Sequence, residues 1–172
     1  MSTDKKVIFF GEKPKRASTN SWSTDITQLS LEQQLEYIKK IHCGMEVENL
    51  STETIIIKEI DSKIGGYRSQ DQKKGLYDSY KFVDRCTVLS LLSGCDNGCY
   101  YCHEKVHILY ETAREPKQWT LERIDNGFGH NKDNVVIACL KCNLTRKTMY
   151  HERFAFTKQL VIQKKIDLEN TL

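Results

Sequence analysis

The sequence predicts an α+β protein in which a mainly helical N-terminal region precedes a small ββα module braced by a metal ion. Three features of its 172 residues predict this organisation. Apolar residues recur at helical spacing within residues 30–94, and two β-forming runs followed by a helical pattern lie within residues 95–155. Two Cys-x-x-Cys pairs flank those runs. Because hydrophobic residues make up only 39% of the chain, a bound metal would help so small a module to fold.

The first part of the chain divides into an arm and a helical region. Residues 1–29 are polar and rich in Ser, Thr and Lys, which predicts a loosely ordered basic arm. Residues 30–94 follow as the mainly helical region. Ser30 with Gln33 three positions later matches a capping box, and apolar residues at helical spacing continue to Ile41. An amphipathic helix is therefore predicted to begin at Ser30.

The rest of the helical region has a less uniform pattern. The isoleucine run in residues 54–60 suits a strand, whereas its neighbours suit a helix, so both interpretations stay open. The glycine pair at 65–66 is predicted to interrupt the regular structure. Apolar residues at helical spacing within residues 82–92 predict a second helix, which leads to the first cysteine pair. Cys43 and Cys86 lie in amphipathic patterns and are predicted to be small core residues.

Cys99-x-x-Cys102 and Cys139-x-x-Cys142 have the spacing of zinc knuckles, in which two thiolates from one tight turn reach the same ion. Together they supply the four sulfurs of a closed tetrahedral zinc site, with Cys95 as the one competing ligand. Disulfides are the alternative, but seven cysteines are an odd number and the N-terminus shows no signal peptide. No apolar stretch is long enough to span a membrane, so we expect an intracellular protein without a membrane partner.

The sequence from residue 119 onwards predicts a strand, a loop, a second strand and a helix. The two strands and the loop between them are predicted at residues 119–125, 135–138 and 126–129, respectively. The stretch after Asn143 contains neither Gly nor Pro and is predicted to be helical, with residues 156–172 forming a basic C-terminal helix or tail. A further short strand is predicted at residues 107–110.

The charge of the chain is informative in its distribution rather than its sum. A net charge of +3 does not by itself indicate a nucleic-acid-binding protein. Between Lys141 and Lys165, however, the only acidic residue among many basic ones is Glu152. A solvated helical face is the ordinary interpretation of such a run, and a surface for phosphates is the alternative.

Four motifs of the module occur together: Cys99-x-x-Cys102, Leu-Glu-Arg-Ile-Asp at 121–125, Gly-His-Asn-Lys-Asp-Asn-Val at 129–135, and Cys139-x-x-Cys142-Asn143 followed by Arg146-Lys147. Residues 95–155 thereby resemble the HNH endonucleases, also called ββα-metal nucleases, in their zinc-knuckle form. They look in particular like variants with a Glu-Arg-Ile-Asp-Asn signature found among phages and large DNA viruses. The resemblance implies a metal-dependent endonuclease that hydrolyses DNA, with structural Zn²⁺ and a catalytic Mg²⁺ or Mn²⁺.

The resemblance also implies roles for individual residues. Glu122 stands where the family has its metal-binding acid, and Asn143 stands where it has its last metal ligand. Asp125 is a further candidate ligand of the catalytic ion. Asn134 stands at the position of the asparagine that orients the base histidine. Arg123 occupies the place of that histidine, and an arginine is charged at any ordinary pH.

Three interpretations of this site stay open. In the first, His130 from the loop acts as the general base, a task for which neutral imidazole is suited. In the second, Asp125 binds the metal, a metal-bound hydroxide needs no protein base, and Arg123 clamps the phosphate. In the third, catalysis is lost and the chain is a zinc-stabilised DNA-binding or assembly-scaffold protein.

DNA is the partner that the resemblance implies. The residues predicted to contact its phosphates are Arg123, Lys141, Arg146, Lys147 and Arg153. Such contacts supply affinity without reading sequence, and they weaken with salt. Residues 1–94 lie outside the resemblance and are a candidate docking region for a larger protein assembly.

Overall fold

The computed structural model describes residues 29–160, and it has the predicted α+β composition. Within residues 29–160, five helices and two strands follow in the order α1 (Leu31–Cys43), α2 (Leu50–Lys74), α3 (Arg85–Gly94), β1 (Trp119–Arg123), β2 (Val135–Cys139), α4 (Leu140–Arg146) and α5 (His151–Gln159). The predicted basic arm, up to residue 28, and the tail from residue 161 lie outside the described residues. Within residues 29–160, no helix is both long and apolar enough to cross a membrane.

Helix α1 begins where the capping-box pattern predicts. The Ser30 side chain accepts a hydrogen bond from the Gln33 backbone N–H at 3.2 Å, and the Gln33 side chain accepts one from the Ser30 N–H at 2.8 Å. These reciprocal bonds satisfy two N–H groups that the first turn of a helix leaves without partners. The helix ends at Gly44, whose φ of 65° is a left-handed conformation that glycine adopts without strain.

Helix α2 resolves the ambiguous isoleucine run and corrects the prediction of an interruption after it. Its 25 residues include residues 54–60 and continue through the glycine pair at 65–66. Ile56, Ile60 and Ile64 repeat every four residues and are all buried in the core. Burial along this stripe outweighs the strand propensity of β-branched residues and the flexibility of glycine.

Strands β1 and β2 form an antiparallel hairpin, in which Trp119 pairs with Cys139 and Arg123 pairs with Val135. Helix α4 starts directly after β2, before Asn143, and ends at Arg146. The stretch after Asn143 that was predicted to be helical therefore divides between the end of α4 and helix α5. The predicted strand at residues 107–110 is wrong, since this segment contributes only an isolated bridge between His107 and Gln118.

One apolar core joins the helical region to the hairpin module. Ile38 and Ile60 from the helices share it with Trp119 from β1 and Tyr101 from the first cysteine turn. A buried polar contact supports this packing, because the Gln34 side chain accepts hydrogen bonds from the backbone of residues 108 and 109 at 2.9 and 3.1 Å. The core does not include Cys43 and Cys86, which are both exposed, so their predicted core role is wrong.

Candidate functional site

The four cysteines of the two pairs converge on one point. The Sγ atoms of Cys99, Cys102, Cys139 and Cys142 all lie within 4.8 Å of one another, and those of Cys102 and Cys139 are 3.9 Å apart. In a tetrahedral site with Zn–S bonds of about 2.3 Å, neighbouring sulfurs are about 3.8 Å apart. The cluster therefore has the dimensions of a site for a structural metal ion such as zinc.

Local backbone geometry sets up this cluster. Cys139 is the last residue of β2 and caps helix α4, and its Sγ accepts the Cys142 N–H at 3.4 Å. The Cys99 Sγ accepts the Cys139 N–H at 3.2 Å. Backbone N–H groups aimed at sulfur favour the thiolate form that binds metal. Cys95 is not part of the cluster, and its thiol instead donates to the carbonyl of Leu92 at 3.5 Å.

A cleft of about 560 Å³ lies between α2 on one side and the hairpin with α4 on the other. It brings together five residues that the sequence singled out: Glu122, Arg123, His130, Asn143 and Lys147. Three lysines that line it add positive charge: Lys63, Lys74 and Lys147. Of these, only Lys147 was predicted to contact phosphates. Lys63 and Lys74 of α2 were not predicted as cleft residues, because the resemblance covers only residues 95–155.

His130 is 5% exposed and is held by α2. Its Nδ1 lies 2.8 Å from Oδ1 of Asp71, and its backbone N–H donates to Oδ2 of the same carboxylate at 2.6 Å. The ring of Tyr67 packs against the imidazole, with the ring centroids 4.4 Å apart. Burial lowers the pKa of His130 below its usual range, and the Asp71 carboxylate opposes this shift. The lowered pKa favours the neutral imidazole, which is the form that a general base needs.

Asn134 has a different task from the predicted one of orienting the base histidine. Its side-chain oxygen accepts the Asp125 N–H at 2.9 Å, and its amide nitrogen donates to the carbonyls of Asp125 and Gly129, both at 2.9 Å. Asn134 thus ties together the two ends of the loop that precedes His130. The partner of the imidazole itself is Asp71, for which the local sequence gives no signal.

Glu122, which lines the cleft, forms a buried ion pair with Arg146. The Arg146 guanidinium also donates to the carbonyls of Arg123 and Ile124, both at 2.7 Å. Burial raises the pKa of Glu122, and Arg146 opposes this. Because Arg146 is only 2% exposed, the structure corrects the prediction that it contacts phosphates.

The side chains of Arg123 and Asp125 form hydrogen bonds with the backbone of the loop at residues 126–129. The Arg123 guanidinium donates to the carbonyls of Asn126 and Phe128 at 3.3 and 3.1 Å. The Asp125 carboxylate accepts the Gly127 N–H at 2.7 Å, and this exposed residue does not line the cleft. Asp125 is therefore not brought together with Glu122, contrary to the predicted ligand set.

Among the described residues, few oxygen donors line the cleft for a catalytic metal ion. Within the described part of the chain, the cysteine cluster is the only group of three or more Cys, His, Asp or Glu side chains that could hold an ion. In the cleft, Glu122 offers a carboxylate and Asn143 an amide oxygen, while the Asn143 amide nitrogen donates to Thr120 at 3.2 Å. Mg²⁺ accepts such a sparse protein set when substrate phosphate and water complete its coordination.

The lysines near the cleft differ in exposure. Lys63 donates to the carbonyl of Trp119 at 2.6 Å and to Gln118 at 3.2 Å, and burial lowers its pKa to about 8. Lys74 and Lys147 are exposed at the rim. The predicted phosphate contacts Lys141 and Arg153 are exposed but do not line this cleft.

In comparisons with known proteins, no family model, curated protein or solved structure matches the chain.

Proposed function

We propose that this protein is a metal-dependent DNA endonuclease of the HNH type, acting inside a cell, whose ββα site is braced by structural zinc. One observation carries the proposal. A buried His130, held by the carboxylate of Asp71, lines the same lysine-containing cleft as Glu122 and Asn143. Hydrolysis of a phosphodiester needs a base for water and a cation for the developing charge, and these residues supply the base and two oxygen donors.

Each residue has a separate role in this proposal. His130 takes the proton of the attacking water through its imidazole. Glu122 and Asn143 offer their side-chain oxygens to Mg²⁺ or Mn²⁺, which supplies Lewis-acid stabilisation of the phosphate when bound. Lys74 and Lys147 at the rim contact the flanking phosphates and give affinity that falls with salt. The cysteine-bound zinc holds the start of α4, so that Asn143 faces the cleft.

A zinc-stabilised DNA-binding or scaffold protein is the second candidate function. The observation that favours it is the ion pair of Glu122 with Arg146, because no other carboxylate among the described residues lines the cleft. Arg123 stands at the position of the family's base histidine, and its guanidinium already donates hydrogen bonds to two carbonyls of the loop. In this reading the cleft binds the backbone of DNA and leaves it intact.

A plasmid-nicking assay with zinc-loaded protein distinguishes the two functions. Wild-type protein should nick DNA with Mg²⁺ or Mn²⁺, and His130→Ala should lose at least about 100-fold of the rate, as expected for removal of a general base. His42→Ala is the matched control, because His42 is exposed at the end of α1. Binding of DNA by wild-type protein without cleavage under any divalent ion contradicts the nuclease proposal and supports the second candidate.

A further inference from the structure

Both carboxylate oxygens of Asp71 contact His130. Oδ1 contacts the His130 Nδ1 at 2.8 Å, and Oδ2 accepts the His130 backbone N–H at 2.6 Å. Asp71 is fully buried, although it lies in a polar stretch near the end of α2. It precedes His130 by 59 residues in the sequence. A buried carboxylate is stable only when its oxygens are hydrogen-bonded, and here one histidine meets that requirement twice.

This geometry selects one tautomer of the imidazole. An ionised carboxylate only accepts hydrogen bonds, so the Nδ1 that faces Asp71 carries the ring proton. Nε2 then carries the lone pair, and it is the ring nitrogen left for a group in the cleft that His130 lines. Tyr67, one turn earlier on α2, packs on the ring and holds its plane, with the centroids 4.4 Å apart.

Gly129 permits this close approach of the loop to the end of α2. A Cβ at this position would lie 2.5 Å from the Leu76 carbonyl oxygen and 2.8 Å from Oδ2 of Asp71. Both distances are far shorter than van der Waals contact, so any larger residue would push His130 away from its partner. The glycine before the histidine and the aspartate on α2 therefore belong to one arrangement.

We infer that Asp71 is a positioning residue that fixes His130 as the Nδ1–H tautomer and so presents Nε2 as the proton acceptor for water. This inference rests on the proposed function for its catalytic consequence. It gives the helical region a part in the active site, because α2 supplies the residues that orient the base. The sequence predicted only a docking role for residues 1–94, and this inference adds a role for α2 at the site.

Asp71→Asn tests the inference with little change of shape. The asparagine oxygen can accept the His130 backbone N–H, while its amide nitrogen donates to Nδ1 and moves the ring proton to Nε2. Cleavage should fall by about 10⁴-fold, the loss seen when a buried Asp–His pair is converted to the wrong tautomer. DNA affinity should not change. Asp61→Asn is the matched control, since Asp61 is also on α2 but pairs with Arg85 at the surface.

Nitrogen NMR of the ring provides a readout that does not depend on cleavage. Wild-type protein should show a protonated Nδ1 and an unprotonated Nε2 at His130, and Asp71→Asn should reverse this. A wild-type ring protonated at Nε2 overturns the inference even if the variant fails to fold, and so does a folded Asp71→Asn protein with the wild-type cleavage rate. Wild-type protein with the expected tautomer but no cleavage contradicts the proposed function and leaves the assignment of the tautomer to Asp71 in place.

Discussion

Replacing Arg146 by Met should lower the free energy of unfolding of the protein. If Arg146 were a phosphate contact at the surface, the same change would leave that free energy nearly unchanged. The guanidinium is 2% exposed, pairs with the buried Glu122, and donates to two backbone carbonyls at 2.7 Å. Methionine keeps the aliphatic stem but leaves the Glu122 carboxylate buried without its counter-ion. Breaking a buried ion pair in this way costs about 3–5 kcal/mol. Adding Glu122→Gln to Arg146→Met should recover part of that loss, because a neutral amide is cheaper to bury.

Denaturant unfolding in a fixed excess of zinc, followed by tryptophan fluorescence, measures this free energy, since Trp119 lies in the core. Lys147→Met is the matched control, because Lys147 is the next residue but is exposed at the cleft rim. It should change the free energy of unfolding by less than about 0.5 kcal/mol. The reasoning is refuted if Arg146→Met unfolds like wild-type protein while its DNA affinity becomes less sensitive to salt, as a phosphate contact would require.

Three further predictions concern the cleft and its supports. Lys147→Met should reduce the salt dependence of DNA binding by about one unit of log K against log salt, measured by fluorescence anisotropy, because one phosphate contact is lost. Gly129→Ala should cost about 1–3 kcal/mol of stability in a denaturant titration, because its Cβ would lie 2.5 Å from the Leu76 carbonyl oxygen. Since burial lowers the pKa of His130, the rate of single-turnover cleavage should fall at low pH with a midpoint below the ordinary imidazole pKa of about 6.5, and a midpoint above that value would contradict this.

Features that depend on neighbouring residues could be predicted from the sequence. The capping box at Ser30 and the two strands of the hairpin are examples, because a few adjacent side chains determine each of them. The four-cysteine cluster could also be predicted, since each pair forms within one turn and a metal needs both pairs.

Other features depend on which surfaces meet in the folded chain. The run at 54–60 is helical because its stripe of isoleucines packs into the core, and neither propensity nor the glycines that follow could decide this. Asp71 becomes the partner of His130 only because α2 packs beside the loop. Arg146 was misassigned since a basic residue in a basic segment is usually solvated, whereas here it turns inward to Glu122.

The proposed zinc site underlies the whole account, because a metal held by the four cysteines would fix the start of α4 and with it the position of Asn143 in the cleft. X-ray absorption at the zinc edge of purified protein tests it most directly. We predict one zinc per chain, surrounded by four sulfurs at about 2.3 Å, and loss of that signal in Cys102→Ser. Protein that binds no metal, that coordinates it through nitrogen or oxygen, or that joins these cysteines in disulfides would contradict the account.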